Sequence, residues 1–182
     1  MAATVKRNIW FHSSLDGTVP TRQKGYMAAS QGVLIPNSLV YLSASGTWKA
    51  ADTTDGSDAI HGLFVGLEDP VATWPITSAL DGTEVILVDL IRENDRFCIY
   101  CQSNGSDSVV AQTNVGNDYG LTIETGTTKV GYATMDINSA TNTGVVVVNM
   151  MSNIEPLKYS TSDEPGVALV RFETAILEAQ KA

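Results

Sequence analysis

Two cysteines, two histidines and a scatter of carboxylates are the residues of this chain to test first for chemistry. Cys98 and Cys101 have the C-x-x-C spacing of a redox dithiol or half of a zinc site. They lie, however, in Arg96-Phe97-Cys98-Ile99-Tyr100-Cys101, which reads as a strand. Residues three apart on a strand point to opposite faces. No second C-x-x-C exists, both histidines are distant in sequence, and no helix follows as it would in a thioredoxin-like motif. The expectation is two reduced, buried structural thiols, consistent with folding in a reducing cytoplasm.

His12 adjoins Ser13 and Ser14, and a Ser-His-Asp triad would need His12 or His61. Adjacency in sequence does not set a hydroxyl against an imidazole, and no Gly-x-Ser-x-Gly elbow is present. His61, beside Ile60 and Leu63, reads as a core or interface histidine. Asp52, Asp55 and Asp58 share a Thr/Gly/Ser loop but lack the one-three-five pattern and closing Glu of a calcium loop, so they read as a surface turn. Asp89 and Glu93 flank a strand end, where a glycosidase pair is conceivable, but nothing in the sequence positions a partner for them. Walker A and Gly-x-Gly-x-x-Gly patterns are missing. The expectation is therefore no catalytic residue, no metal site, no cofactor and no enzyme.

The elements that would position these residues are strands. Gly32 to Gly66 sets the grammar: short apolar runs such as Ser38–Leu42 and Ile60–Leu67, separated by turns such as Ser45-Gly46. The same pattern predicts strands at Thr47–Ala50, Thr83–Leu90, Phe97–Gln102, Val109–Ala111, Tyr119–Glu124, Lys129–Ile137 and Val145–Met151, the last with four consecutive valines. Ser103–Ser108 reads as a loop. Closely spaced short strands imply an all-β fold, a small β-barrel or β-sandwich. Residues 33–156 form the expected body. Residues 1–32 read as an extended N-terminal arm with one short strand near Ile9-Trp10-Phe11. Pro156 and the Ser160–Gly166 stretch set off a C-terminal segment, 157–182, expected as a strand to Phe172 followed by a short helix or an extended tail.

At 182 residues the chain can bury a sizeable core without staples. Its net charge of -9 is uneven. Residues 1–32 hold Lys6, Arg7, Arg22 and Lys24 against Asp16 alone, a net of +3, whereas residues 33–154 hold 14 acids against 4 bases. So acidic a body repels phosphate backbones, and no nucleic-acid partner is expected. No apolar run approaches a membrane span, and residues 1–30 lack a signal core, so neither a membrane anchor nor Sec-type export is expected. The basic arm suits docking on an acidic neighbour, with Trp10 and Phe11 as apolar anchor and Lys6, Arg7, Arg22 and Lys24 as the electrostatic part; the plainer alternative is a few solvated cations. Trp10, Trp48 and Trp74 either stack sugars, anchor an interface or pack at the edge of the core.

The order of segments resembles the capsid decoration (cement) proteins of tailed bacteriophages. The matching pieces are Asn37–Leu42, Gly46–Ala51, Ile60–Gly66, Val115–Leu121, Val145–Val148 and Ala168–Phe172. The likeness is of pattern over roughly residues 33–172, with no diagnostic motif. It implies a small β-barrel or β-sandwich, a trimer in the favoured case, made in the host cytoplasm. Such a chain sits on the outer surface of the virion and binds the major capsid protein, with Lys6, Arg7, Trp10, Phe11, Arg22, Lys24, Trp48 and Trp74 as interface residues. The family supplies no catalytic residue. The alternative is a head- or tail-fibre module whose tryptophans bind host glycans; a small cytosolic hydrolase ranks last.

Overall fold

The structure, a computed structural model, describes residues 9–51, 60–69, 81–125, 129–139 and 143–173. The fold is all-β. Twelve strands run as β1 Trp10–Ser14, β2 Arg22–Tyr26, β3 Leu39–Leu42, β4 Trp48–Ala50, β5 Gly62–Leu67, β6 Val85–Leu90, β7 Asp95–Ser103, β8 Ser106–Asp107, β9 Asp118–Ile123, β10 Ala133–Asp136, β11 Thr143–Met150 and β12 Val167–Phe172. One short helix, α1 (Met151–Ile154), and one 3-10 turn (Gln112–Asn114) interrupt them.

Five strands close into a barrel in the order β7-β10-β9-β11-β12, because β12 pairs back onto β7. All pairings are antiparallel except β7–β10. Closure removes the exposed edges that an open sheet would present. Alternation along each strand fills the interior: Phe97, Ile99 and Cys101 of β7, Met135 of β10, Val145 and Val147 of β11, and Ala168, Val170 and Phe172 of β12. Phe97 and Phe172 meet edge-on, centroids 5.3 Å apart. Outward residues of the same two strands, Cys98, Tyr100, Val167 and Leu169, are covered by Met151 of α1.

The second sheet runs β2-β6-β5-β3-β4. It is almost a barrel too: Met27, just past β2, bridges to Trp48 at the start of β4, and the Ala28 N–H donates to the Trp48 carbonyl at 2.8 Å. Its core is Met27, Val40, Trp48, Phe64, Ile86 and Val88. β2 passes directly over the indole, and a Cβ on Gly25 would lie 2.5 Å from Trp48 Nε1, so no larger residue fits there without displacement. The sheet is also the wall between two cores. Leu39, Ala51 and Leu63 point into the large barrel, while their neighbours Val40, Ala50 and Phe64 point into the small one. The Leu39 N–H donates to the Gly131 carbonyl, whose residue has a positive φ and no room for a Cβ, and Leu34 bridges to Val130.

This topology corrects the expected N-terminal arm. From residue 9 onward the segment belongs to both sheets: β1 pairs with β7, β2 pairs with β6, and Ile9 and Met27 are fully buried. β2 escaped the sequence pattern because Arg22, Gln23, Lys24 and Tyr26 are all exposed and only Gly25 faces inward over Trp48, which leaves no apolar alternation. The C-terminal segment is likewise no appendage. β12 is a barrel stave, as the strand expected up to Phe172 required; the helix or tail expected beyond it lies outside the described residues. Val109–Ala111 is irregular rather than a strand, and the Ser103–Ser108 loop contains the two residues of β8.

Candidate functional site

The expected interface residues separate on folding. Lys6, Arg7 and Trp74, and the Asp52, Asp55 and Asp58 turn, lie outside the described residues. Phe11 points inward and packs edge-on against Phe97 at 5.9 Å. Trp48 is 2% exposed in the small core. It is therefore a packing residue and offers no surface to a partner or a glycan. Arg22 is held by Asp89 through a two-pronged ion pair at 2.7 and 3.0 Å, which raises its pKa, and Lys24 is paired with Glu68. Both cations are thus paired with acids of their own sheet, Asp89 on β6 and Glu68 just past β5.

Of the two described tryptophans, Trp10 is the one that sits half-buried at the surface, in a cluster with chemical potential. It points outward from β1 and meets Tyr100 of β7, ring centroids 5.7 Å apart. Beside them a cleft of about 300 Å³ is lined by Tyr100, Lys158, Tyr159, Asp163, Glu164, Pro165 and Val167. Lys158 lies 5.2 Å from the Tyr159 ring centre and pairs with Glu155 at 3.1 Å, and these contacts raise its pKa. Asp163 is fixed by the Ser160 N–H at 2.6 Å. An apolar ring wall with a cation and two carboxylates at its rim has the chemistry to stack on and hydrogen-bond polar, ring-shaped or extended molecules. Ile154 and Leu157, in the adjoining segment, are exposed, Leu157 completely. The sequence pattern does not show this cleft because Tyr100 falls within the cysteine strand and Lys158-Tyr159 within the separate C-terminal segment, between Pro156 and Ser160. Their one local signal was two tyrosines, and only the return of β12 beside β7 brings them together.

The cysteines stand where strand periodicity put them. Cys101 is inside the barrel and Cys98 outside it under Met151, both free and buried. Burial pushes the Cys98 thiol up to about 12 and Cys101 higher still, so neither is a nucleophile at neutral pH. His12 Nδ1 lies 3.0 Å from the Ser13 hydroxyl, a contact that adjacency alone did not promise. His61 is buried against Trp48, accepts the Leu42 N–H at Nδ1 (2.7 Å), and has no partner at Nε2. Its pKa is lowered by loss of solvent. No group of three or more His, Cys, Asp or Glu among the described residues is placed to hold a metal ion. No helix among them is long and apolar enough to cross a membrane.

Comparisons with protein-family models, with characterised protein sequences and with solved structures returned no match.

Proposed function

We propose that this chain is a structural protein without catalytic activity that binds the outer surface of an assembled phage capsid and stabilises its lattice. The observation that carries the reading is the association-prone side of a wholly β body. β1 pairs with β7 alone among the described residues, and the connection leaving it carries Leu15 and Val19, which are 70% and 77% exposed. A sheet edge beside exposed apolar side chains favours association with another protein. Segment order adds the resemblance to decoration proteins. On this reading the major capsid protein is the partner, a homotrimer is the favoured assembly, and the outer face of the virion is the location. The chain would bind the finished lattice better than free subunits, and that difference would stabilise the shell by mass action. The test is to add purified protein to undecorated heads. Cryo-electron microscopy is expected to show its density on the outer surface, and the heads to survive heating better than without it. Heads left bare, or coated with no gain in resistance, would refute the proposal.

A second reading, a fibre module binding host glycans, is favoured by the aromatic cleft and not by Trp48. Its distinguishing result is glycan binding that Tyr159→Ala abolishes while capsid binding persists.

A further inference from the structure

The outer wall of the large barrel carries two arginines side by side. Val170 pairs with Phe97 at the end of the β12–β7 ladder, and both point inward, so Arg171 and Arg96, the residues just beyond that rung, both lie on the outside of neighbouring strands. The two guanidinium groups feel each other: the positive charge of Arg171 lowers the pKa of Arg96, together with the larger effect of burial. Like charges close together across a sheet destabilise it, and among the described residues no acid forms an ion pair with either, although the charge of Asp95 partly offsets the effect on Arg96. The carboxylate of Asp95, next to Arg96, is engaged by Arg92 through both oxygens. Arg171 makes no hydrogen bond or ion pair among the described residues. Arg96 is anchored by NH1, which donates to the carbonyls of Glu93 and Asp95 at 3.3 and 3.0 Å. Its Nε–H is buried with no acceptor. On the other side of Arg96, β1 bulges between Phe11 and Ser13, so that His12 and Ser13 together oppose Arg96.

This part of the wall thus gathers two cations, a hydroxyl and an imidazole on a protein of net charge -9. Buried donors in native structures have acceptors, and an orphan among cations calls for an anion. Guanidinium groups match planar or tetrahedral oxyanions with paired N–H donors. We propose that the Arg96–Arg171 pair is an oxyanion-binding site that takes a phosphate or carboxylate group, with Ser13 and His12 at its margin. It is distinct from the aromatic cleft and does not depend on the capsid reading.

The experiment titrates the full chain with sodium phosphate, sodium acetate or sodium chloride at equal ionic strength and neutral pH. It follows the arginine Nε–H signals by NMR and the thermal midpoint. Phosphate or acetate is expected to shift the Arg96 and Arg171 signals and to raise the midpoint where chloride does not. A response to phosphate alone assigns a phosphate ligand, and one to both extends the site to carboxylates. Arg171→Gln is expected to weaken the anion response about tenfold. It should also start from a higher midpoint at low salt, because the opposed charges are gone. Arg22→Gln, which alters a cation already paired with Asp89, is expected to keep the full response. Equal behaviour in all three salts, or an undiminished response in Arg171→Gln, would overturn the site; the Arg96 signal in the unmutated protein decides the matter even if a variant folds poorly.

Discussion

The large and the small barrel close in different ways. The large one closes with a ladder: β12 pairs with β7 over four residues, Val167–Val170 against Phe97–Tyr100. The small one closes at a single bridge, Met27 to Trp48, and leans on one side chain, the Trp48 indole beneath Gly25. A ladder spreads closure over many backbone hydrogen bonds of about 1 kcal/mol each. A single bridge concentrates it in one packing contact. The small barrel should therefore depend more steeply on individual residues near its seam, and the large one on the continuity of its strands.

The most severe way to break the comparison is to delete residues 1–32. That removes one strand from each sheet and the buried Ile9 and Met27. We expect no cooperative folding of the remainder. A truncated chain with a native-like sharp thermal transition would show that the seam strands are dispensable.

Trp48→Ala and Phe97→Ala compare the two cores directly. Each should cost about 3–5 kcal/mol. Trp48→Ala is expected to open the small barrel locally, with loss of amide protection in β2 and β4 while β7, β9 and β12 stay protected. Phe97→Ala, at the junction with Phe11 and Phe172, should lower the protection of the whole molecule together. Hydrogen exchange that falls uniformly in both variants would make the two barrels a single cooperative unit.

Gly25→Val tests the seam alone. The added side chain meets the indole, and overpacking of this kind costs about 1–3 kcal/mol. Because β2 is otherwise exposed and polar, the damage should be relieved in large part when Trp48 is cut to Leu in the same chain. A double variant no more stable than Gly25→Val would place the strain elsewhere.

The smallest effect expected is a pH dependence. Burial lowers the His61 pKa below its ordinary 6.5, and Nδ1 already accepts the Leu42 N–H. The unfolded chain therefore binds a proton that the folded chain resists. Stability should be at its full value above about pH 6.5 and fall as pH drops through it. Urea midpoints measured between about pH 5 and 8 should show this slope, reduced in His61→Gln. An unchanged slope in that variant would mean that other groups carry it.

Much of the fold was legible because it rests on short apolar runs broken by turns. β3, β5, β6, β7, β9 and β12 each carry a short apolar run bounded by turn residues, and β11 announced itself with four valines. The opposite facing of Cys98 and Cys101 followed from strand periodicity alone. β2 was illegible for the same physical reason: its inward position is a glycine, whose contribution is the absence of a side chain over Trp48. The burial of Trp48 was open, since an indole after a turn reads equally as surface anchor or core, whereas Phe11, expected as an apolar anchor, packs inward against Phe97.

The sequence by itself determined the class of structure, the thiol arrangement and the overall acidity, because these depend on residue type and on neighbours two or three positions away. Tertiary structure decided everything that depends on distant segments meeting. It built the arm into both sheets, matched Arg22 with Asp89, and brought Tyr100 and Tyr159 to one cleft with Trp10 packed against Tyr100. It also set Arg96 beside Arg171, 75 positions apart in sequence. No local pattern encodes such a pair: the register of β7 against β12 is fixed by the core residues Phe97 and Val170 on the opposite face of the sheet, and the arginines follow wherever that packing puts them.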